Sequence, residues 1–422
     1  MRGTSLACLC LLPGVAWLIA AEAPKPTRPN VLMIVGDDMA WTDYEFMGHP
    51  DVKTPNLDRL AREGAVFPSA YVPTSLCRAS LATLLTGQYA HQHKICCNDP
   101  PKGTDRAEML PFLQHASTIP RTLGEKAGYL SLQTGKFWEG PFSNGGFTDG
   151  MTTKGRHGDE GLKIGRETLQ PIDDFLDKAG EKPWFIWYAP MMPHAPHTPP
   201  AKYLERYKKA GINERVARYY AMCEWFDATI GDVLASLEKR KLLDNTLVVY
   251  VADNGWIQSP GAPKAGEQFA TRSKNTPYEG GVRTPVILRW PAKIKPTKVA
   301  EPISTIDLMP TILSACGIER PANLLGIDLL SLAAGTPSKR ERVFGEIYTH
   351  DCVEVGKPQL SVTHRWVREG KWKLILPTAK VLQIELFDVE ADPHEKVNRA
   401  DEQRVVVARL AQALDALWTP MR

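Results

Sequence analysis

"NVLMIVGDDMAW", residues 30–41, runs through five consecutive apolar side chains and then stops on Gly36-Asp37-Asp38. A strand-length run without polar alternation describes a strand covered on both faces, as in a parallel sheet. Runs of similar texture occur at 185–188, 246–251 and 286–290. The run at 185–188 is followed shortly by Pro193-His194, and that at 246–251 ends in Ala252-Asp253-Asn254-Gly255. Between them lie helical patterns. Val216, Tyr219, Tyr220, Cys223, Phe226, Ile230, Val233, Leu234 and Leu237 recur at helical spacing. Segments 57–63, 162–179 and 306–316 each read as a helix stopped by glycine, at Gly64, Gly180 and Gly317. Strands alternating with helices predict an α/β fold with an open, mostly parallel sheet.

After about residue 335 the texture changes. Short strands are expected at 343–347, 361–368, 372–375 and 385–388, followed by a helix over 400–418. The expected division is residues 1–23 as a signal peptide, 24–335 as the α/β domain, and 336–422 as a small α+β subdomain with an antiparallel sheet.

With 422 residues, 43% hydrophobic and 23% charged, the chain can bury a large core. A net charge of +3 with no basic cluster argues against a nucleic-acid partner. Arg2, the apolar stretch 6–20 and Ala21-Glu22-Ala23 read as an export signal cleaved near Ala21–Ala23, giving a periplasmic or secreted protein without a stable membrane anchor. Six cysteines lie beyond that segment: Cys77, Cys96, Cys97, Cys223, Cys316 and Cys352. They allow one or two disulfides, and no pair has the spacing of a zinc site.

Ligands of doubly wound sheets sit beyond the carboxyl ends of the strands. Here those ends carry Asp37-Asp38, His194 and Asp253-Asn254. Asp-Asp and Asp-Asn-Gly are also ordinary turn residues. Two such clusters after buried strands supply hard oxygen donors suited to Ca²⁺, or less well Mg²⁺. Cys77 opens the apolar helix of "SLCRASLATLLTG", where the N-terminus favours negative charge and lowers a thiol pKa. A buried apolar cysteine is the plainer reading. Lys136 in "TGKFW" and Lys274 in "SKNTPYEGG" stand beside glycines, in loops where a lysine can hold an oxyanion. His194 and His197, in "PHAPH", are candidate general acids.

These motifs, together with "TPNLDRLAREGAVF", "KNTPYEGGVRTPVILRWP", "STIDLMPTIL" and "LFDVEADPHEKVN", resemble in collinear order the sulfatase family of the alkaline-phosphatase-like superfamily. The resemblance covers nearly the whole chain after the signal. It implies a large mixed, mostly parallel sheet sandwiched by helices, and hydrolysis of a sulfate monoester on a sulfated carbohydrate. It implies that Cys77 is oxidised to formylglycine by a formylglycine-generating enzyme. One hydroxyl of the hydrated aldehyde then attacks sulfur, and the other later releases sulfate. It further implies that Asp37, Asp38, Asp253 and Asn254, with modified Cys77, ligate calcium. Lys136 and Lys274 would hold the sulfate, and His194 would protonate the departing alcohol.

Two motifs depart from the pattern, at three positions. The family's Cys-x-Pro-x-Arg reads Cys77-Arg78-Ala79-Ser80-Leu81 here, and the histidine expected two residues after Lys136 is Trp138. Three readings stay open: a sulfatase whose nucleophile is helped by Arg78, His91 or His93; a phosphate or phosphonate ester hydrolase; and a non-catalytic sulfated-glycan binder. Loops 141–161 and 258–275 and the region around Asp351 are expected to hold leaving-group specificity, with Trp138, Trp256 and Tyr348 as candidate sugar-stacking residues.

Overall fold

The computed structural model describes Gly3 and residues 28–154, 157–209, 211–260 and 269–420. The expected signal peptide therefore lies outside the described residues, apart from Gly3. No described helix is long and apolar enough to cross a membrane.

The larger sheet has nine strands: β1 (Asn30–Gly36), β2 (Ala65–Tyr71), β3 (Leu130–Gly135), β4 (Asp149–Gly150), β5 (Trp184–Ala189), β6 (Thr246–Ala252), β7 (Arg283–Arg289), β8 (Thr297–Lys298) and β9 (Ile303–Ser304). The order is β4-β3-β5-β1-β6-β7-β2-β8, with β9 also on β2. The expected mostly parallel α/β sheet is present. β1 lies at its centre, parallel to both β5 and β6, with Gly36 opposite Ala252 and Ile34 opposite Tyr188. Every residue of β1, β5 and β6 is buried. Their alternate faces enter two separate apolar clusters, with Val31, Met33 and Val35 in one and Leu32 and Ile34 in the other. That double burial is why their sequences do not alternate.

The run expected at 286–290 differs in bounds and direction. β7 starts at Arg283, excludes Trp290, and pairs antiparallel with both β6 and β2. Apolarity reports burial and not direction, because two-faced burial suits either orientation. The helix expected over 162–179 is shorter. Asp159–Lys163 forms a 3-10 turn, Gly165 adopts φ +71°, and the α-helix spans only Gln170–Ala179. Pro171 sits in its first turn, where a missing N–H costs nothing, and restricts the residue before it. The Pro55–Glu63, Glu214–Lys239 and Leu308–Ala315 helices form near the expected positions.

The second sheet is a four-stranded antiparallel meander of β10 (Arg342–Tyr348), β11 (Val362–Glu369), β12 (Trp372–Pro377) and β13 (Glu385–Asp388). The Arg404–Leu417 helix packs Leu410 and Leu414 against Val367, Leu374 and Leu386. The other face of the second sheet meets the larger domain through Tyr71, Val282, Trp366 and Phe387.

Candidate active site

The carboxyl ends of β3, β5, β1 and β6 lie side by side and present their next residues to one point. The β1–β5 pairing continues past the strands, because Asp37 N–H donates to the Met192 carbonyl at 3.0 Å and Asp37 bridges to Pro193. This brings His194 beside Asp38. Asp38 adopts φ +64°, a left-handed turn that aspartate tolerates better than most residues. Asp253 N–H donates to Gly36 O at 2.8 Å, so the β6 end is tied to the β1 end. At β3, Gly135 has φ +77°, and a Cβ there would stand 1.8 Å from the Ala189 carbonyl oxygen. Only glycine permits that approach, which sets Lys136 N–H on the same carbonyl at 2.6 Å.

The other two residues arrive from loops. Cys77 is the first residue of the Cys77–Thr86 helix. Asn275 N–H donates to Ser75 O at 3.0 Å and to Ser75 Oγ at 2.9 Å, so the Lys274 loop is pinned just ahead of the cysteine.

All eight expected site residues converge. Ligand atoms of Asp37, Asp38, Cys77 and His194 lie within 4.8 Å of one another. The Cys77 thiol is 3.5 Å from Asn254 Oδ1, and Asn254 Nδ2 donates to Asp38 Oδ1 at 2.7 Å. Lys136 Nζ is 2.6 Å from Asp37 Oδ1 and 3.2 Å from Asp253 Oδ2. Lys274 Nζ is 2.5 Å from Asp38 Oδ1. His194 Nδ1 faces its neighbour's carbonyl at Ala195, 2.6 Å away, and Nε2 faces Asp38 Oδ2 at 3.5 Å.

The charge balance is uneven. Three buried carboxylates share two ammonium groups. Burial pushes Asp38 up, but Lys274, His194 and Lys136 outweigh it and hold the carboxyl well below its usual range. Asp253 loses that contest: burial and then the charge of Asp37 push it up to about 7. Burial opposes the charge on Lys136 and Lys274, yet the facing carboxylates hold both above the ordinary lysine value. Burial pulls His194 down towards the neutral form. Asp37 Oδ2 and Asp38 Oδ2 are buried without a hydrogen-bond partner among the described residues. Orphaned carboxylate oxygens beside an amide oxygen and a strained carboxyl fit a hard divalent cation.

Several expectations need correction. The Cys77 pKa is not lowered on balance: burial pushes the thiol up to about 12, outweighing both lysines. Arg78, His91 and His93 do not assist residue 77. Arg78 is buried in a two-bond contact with Glu139, at 2.6 and 2.7 Å, and also donates to the carbonyls of Cys97 and Met109. His91 pairs with Glu346, and His93 with Thr83 Oγ1 at 3.1 Å. Leu81 and Trp138 are buried in the same apolar cluster as Cys77. His197 packs on Tyr219 and Trp256, off the cluster. Trp138, Trp256 and Tyr348 are each under 5% exposed, so they serve as packing and not as stacking platforms for a sugar. Sequence reasoning missed His157. Its ring stands edge-on to Trp138 at 4.5 Å and 5.7 Å from the His194 ring. Its only sequence signal is its place in the 141–161 loop.

The chain matches the family described as sulfatase over residues 29–318, and "N-sulphoglucosamine sulphohydrolase, C-terminal" over 268–419. It is 30% identical over 417 residues to the N-acetylgalactosamine-6-sulfatase of Canis lupus familiaris, covering 86% of this chain and 76% of the relative. The solved structure of Ps i-CgsB superposes with a TM-score of 0.75 at 23% identity, over 93% of this chain and 94% of that one. The phosphonate monoester hydrolase of Agrobacterium radiobacter gives a TM-score of 0.71 at 20% identity, over 92% and 95%, and so shares the fold. The fold class is alkaline-phosphatase-like, and the chain belongs to the sulfatase family of sulfuric ester hydrolases.

Proposed function

We propose that the protein hydrolyses a sulfate monoester on a sulfated carbohydrate, using Ca²⁺ and a formylglycine made from Cys77 by a formylglycine-generating enzyme. The observation that carries this reading is the convergence of Asp37, Asp38, Asp253 and Asn254 on Cys77, with two carboxylate oxygens unpartnered. Those four side chains would hold the cation. When bound, the cation and the converted residue 77 supply a Lewis acid and the attacking oxygen.

Lys136, paired with Asp37, and Lys274, paired with Asp38, would bind the sulfate oxygens, where their charge stabilises the anion as it crowds. His194 turns Nδ1–H to a backbone carbonyl, so Nε2 would carry the proton for the departing alcohol in the imidazolium form, which the charges of Asp37 and Asp38 favour against burial. The carbohydrate class follows that of the dog relative, an N-acetylgalactosamine-6-sulfatase. The domain division at residues 335 and 336 belongs to the same proposal and is supported by the start of the second sheet at Arg342. So does export with cleavage near Ala21–Ala23, which N-terminal sequencing of the secreted chain tests.

The deciding experiment is the mass of tryptic peptide 63–78 from the native host. The aldehyde in place of the thiol is expected, and intact thiol throughout overturns the formylglycine route. A second reading, phosphonate or phosphate ester hydrolysis, draws on Leu81 and Trp138, which lie in the same apolar cluster as Cys77 where the family pattern has arginine and histidine. Paired assays with an aryl sulfate and an aryl phosphonate separate the two: faster sulfate turnover is expected, and faster phosphonate turnover reverses the assignment.

A further inference from the structure

Behind the first turn of the Cys77–Thr86 helix, three thiols meet in one buried cluster: Cys96, Cys97 and Cys352, at 3%, 0% and 5% exposure. Two segments far apart in sequence pair there. Asn98 N–H donates to His350 O at 2.9 Å, Cys352 N–H donates to Asp99 O at 2.9 Å, and Asp99 bridges to Asp351 in parallel. The pairing brings Cys97 and Cys352 together in that cluster, where each thiol perturbs the titration of the other. Cys96 Sγ lies 3.4 Å from Cys97 Sγ.

The cluster is built neither for a ligand nor for a metal. The cavity beside it is about 10 Å³, too small for anything larger than a water molecule. The three sulfurs are not among the metal-spaced groups of the described residues. A bond between Cys96 and Cys97 is disfavoured, because adjacent residues hold their Cα atoms about 3.8 Å apart, below the usual disulfide range.

We propose that Cys97 and Cys352 form a disulfide that clips the segment bracing the Cys77 helix to the loop after β10. The brace is direct: Asn98 Oδ1 accepts from Arg78 N–H at 3.0 Å, and Cys97 O accepts from Arg78 Nη1 at 3.3 Å. The oxidant is a disulfide, either oxidised glutathione or a thiol–disulfide oxidoreductase. One cysteine thiolate attacks it and releases a thiol. The second thiolate then displaces the remaining sulfur as another thiol. Two cysteine thiols lose two protons and two electrons, and one disulfide becomes two thiols. The contact with Cys97 and then burial push Cys352 well above the ordinary thiol range. On Cys97 the contact with Cys352 pulls the pKa down, but the contact with Cys96 and burial outweigh it and hold this thiol above that range too. The exchange therefore belongs to the folding chain, before the cluster closes.

The test uses the full chain produced in a bacterial periplasm, denatured without reduction, alkylated and digested with trypsin. Peptide 95–102 joined to 343–365 is expected, and it should separate on reduction. Alkylated Cys97 and Cys352, or a bond from Cys97 to Cys96, overturns the proposal. The Cys96→Ser variant should keep the link and the melting temperature. Reduction before melting should lower the wild-type Tm by several degrees but leave Cys352→Ser unchanged, because the bond restricts the unfolded chain. Equal Tm for oxidised and reduced wild type also overturns it.

Discussion

Arg78 and Glu139 form a buried ion pair in which Nε and Nη2 each reach one carboxylate oxygen, at 2.6 and 2.7 Å. Both side chains are at most 4% exposed. The guanidinium next to Cys77 is thereby committed to structure and not to substrate.

Glu139→Gln should lower unfolding stability by about 3–5 kcal/mol, since removing one partner leaves a buried charge unpaired. Denaturant titration reads this directly. KM for an aryl sulfate should stay unchanged in the folded fraction. A raised KM with unchanged stability contradicts the assignment.

Asp253→Ala should abolish turnover, because it removes an oxygen donor and leaves Lys136 and Asp37 misbalanced. Chelation of the native protein should lower its Tm. A cation at a hundredfold excess over its Kd stabilises the folded state by about 2.7 kcal/mol. Scanning calorimetry with and without chelator checks this.

Lys274→Ala should reduce kcat by about 10² to 10³, the effect of losing one oxyanion donor. Stability should change less than for Lys136, which is more deeply buried. Steady-state kinetics with an aryl sulfate measures the loss.

His194→Ala should cost more with an alkyl or sugar sulfate than with a nitrophenyl sulfate. A poor leaving group needs a proton, and a good one does not. Equal losses on both substrates would assign His194 to binding instead.

His93 predicts a pH dependence of stability. Burial pulls its pKa from 6.5 in the unfolded chain to about 3 in the fold. Between those values the unfolded state binds the extra proton, so stability falls as pH drops from about 6.5 towards 3. His93→Gln should flatten that slope, which urea unfolding at pH 4.5 and 7 measures.

The centre of the fold was readable because β1, β5 and β6 are buried on both faces and spell this out residue by residue. β3 was not readable. Its Ser131, Gln133 and Thr134 are buried polar residues whose partners, Thr148, Thr152 and Trp187, are tertiary. β2 carries Pro68, which reads as a strand breaker and coincides with a register shift between Phe67 and Ala70. The metal-spaced residues stood out because they follow buried strands. Arg78 could not be assigned, because its partner lies 61 residues away and no local pattern links the two.

β1 leaves the ribosome long before its neighbours. β5 begins at Trp184 and β6 at Thr246, so the chain must carry "NVLMIVG" unpaired while well over a hundred further residues are translated. Such an apolar segment with two open edges is a nucleus for aggregation. The same arrangement that puts Asp37 and Asp38 at the heart of the sheet therefore makes biosynthesis dependent on shielding of the nascent chain. Slow translation or chaperone shortage should reduce its yield before any effect on the finished enzyme.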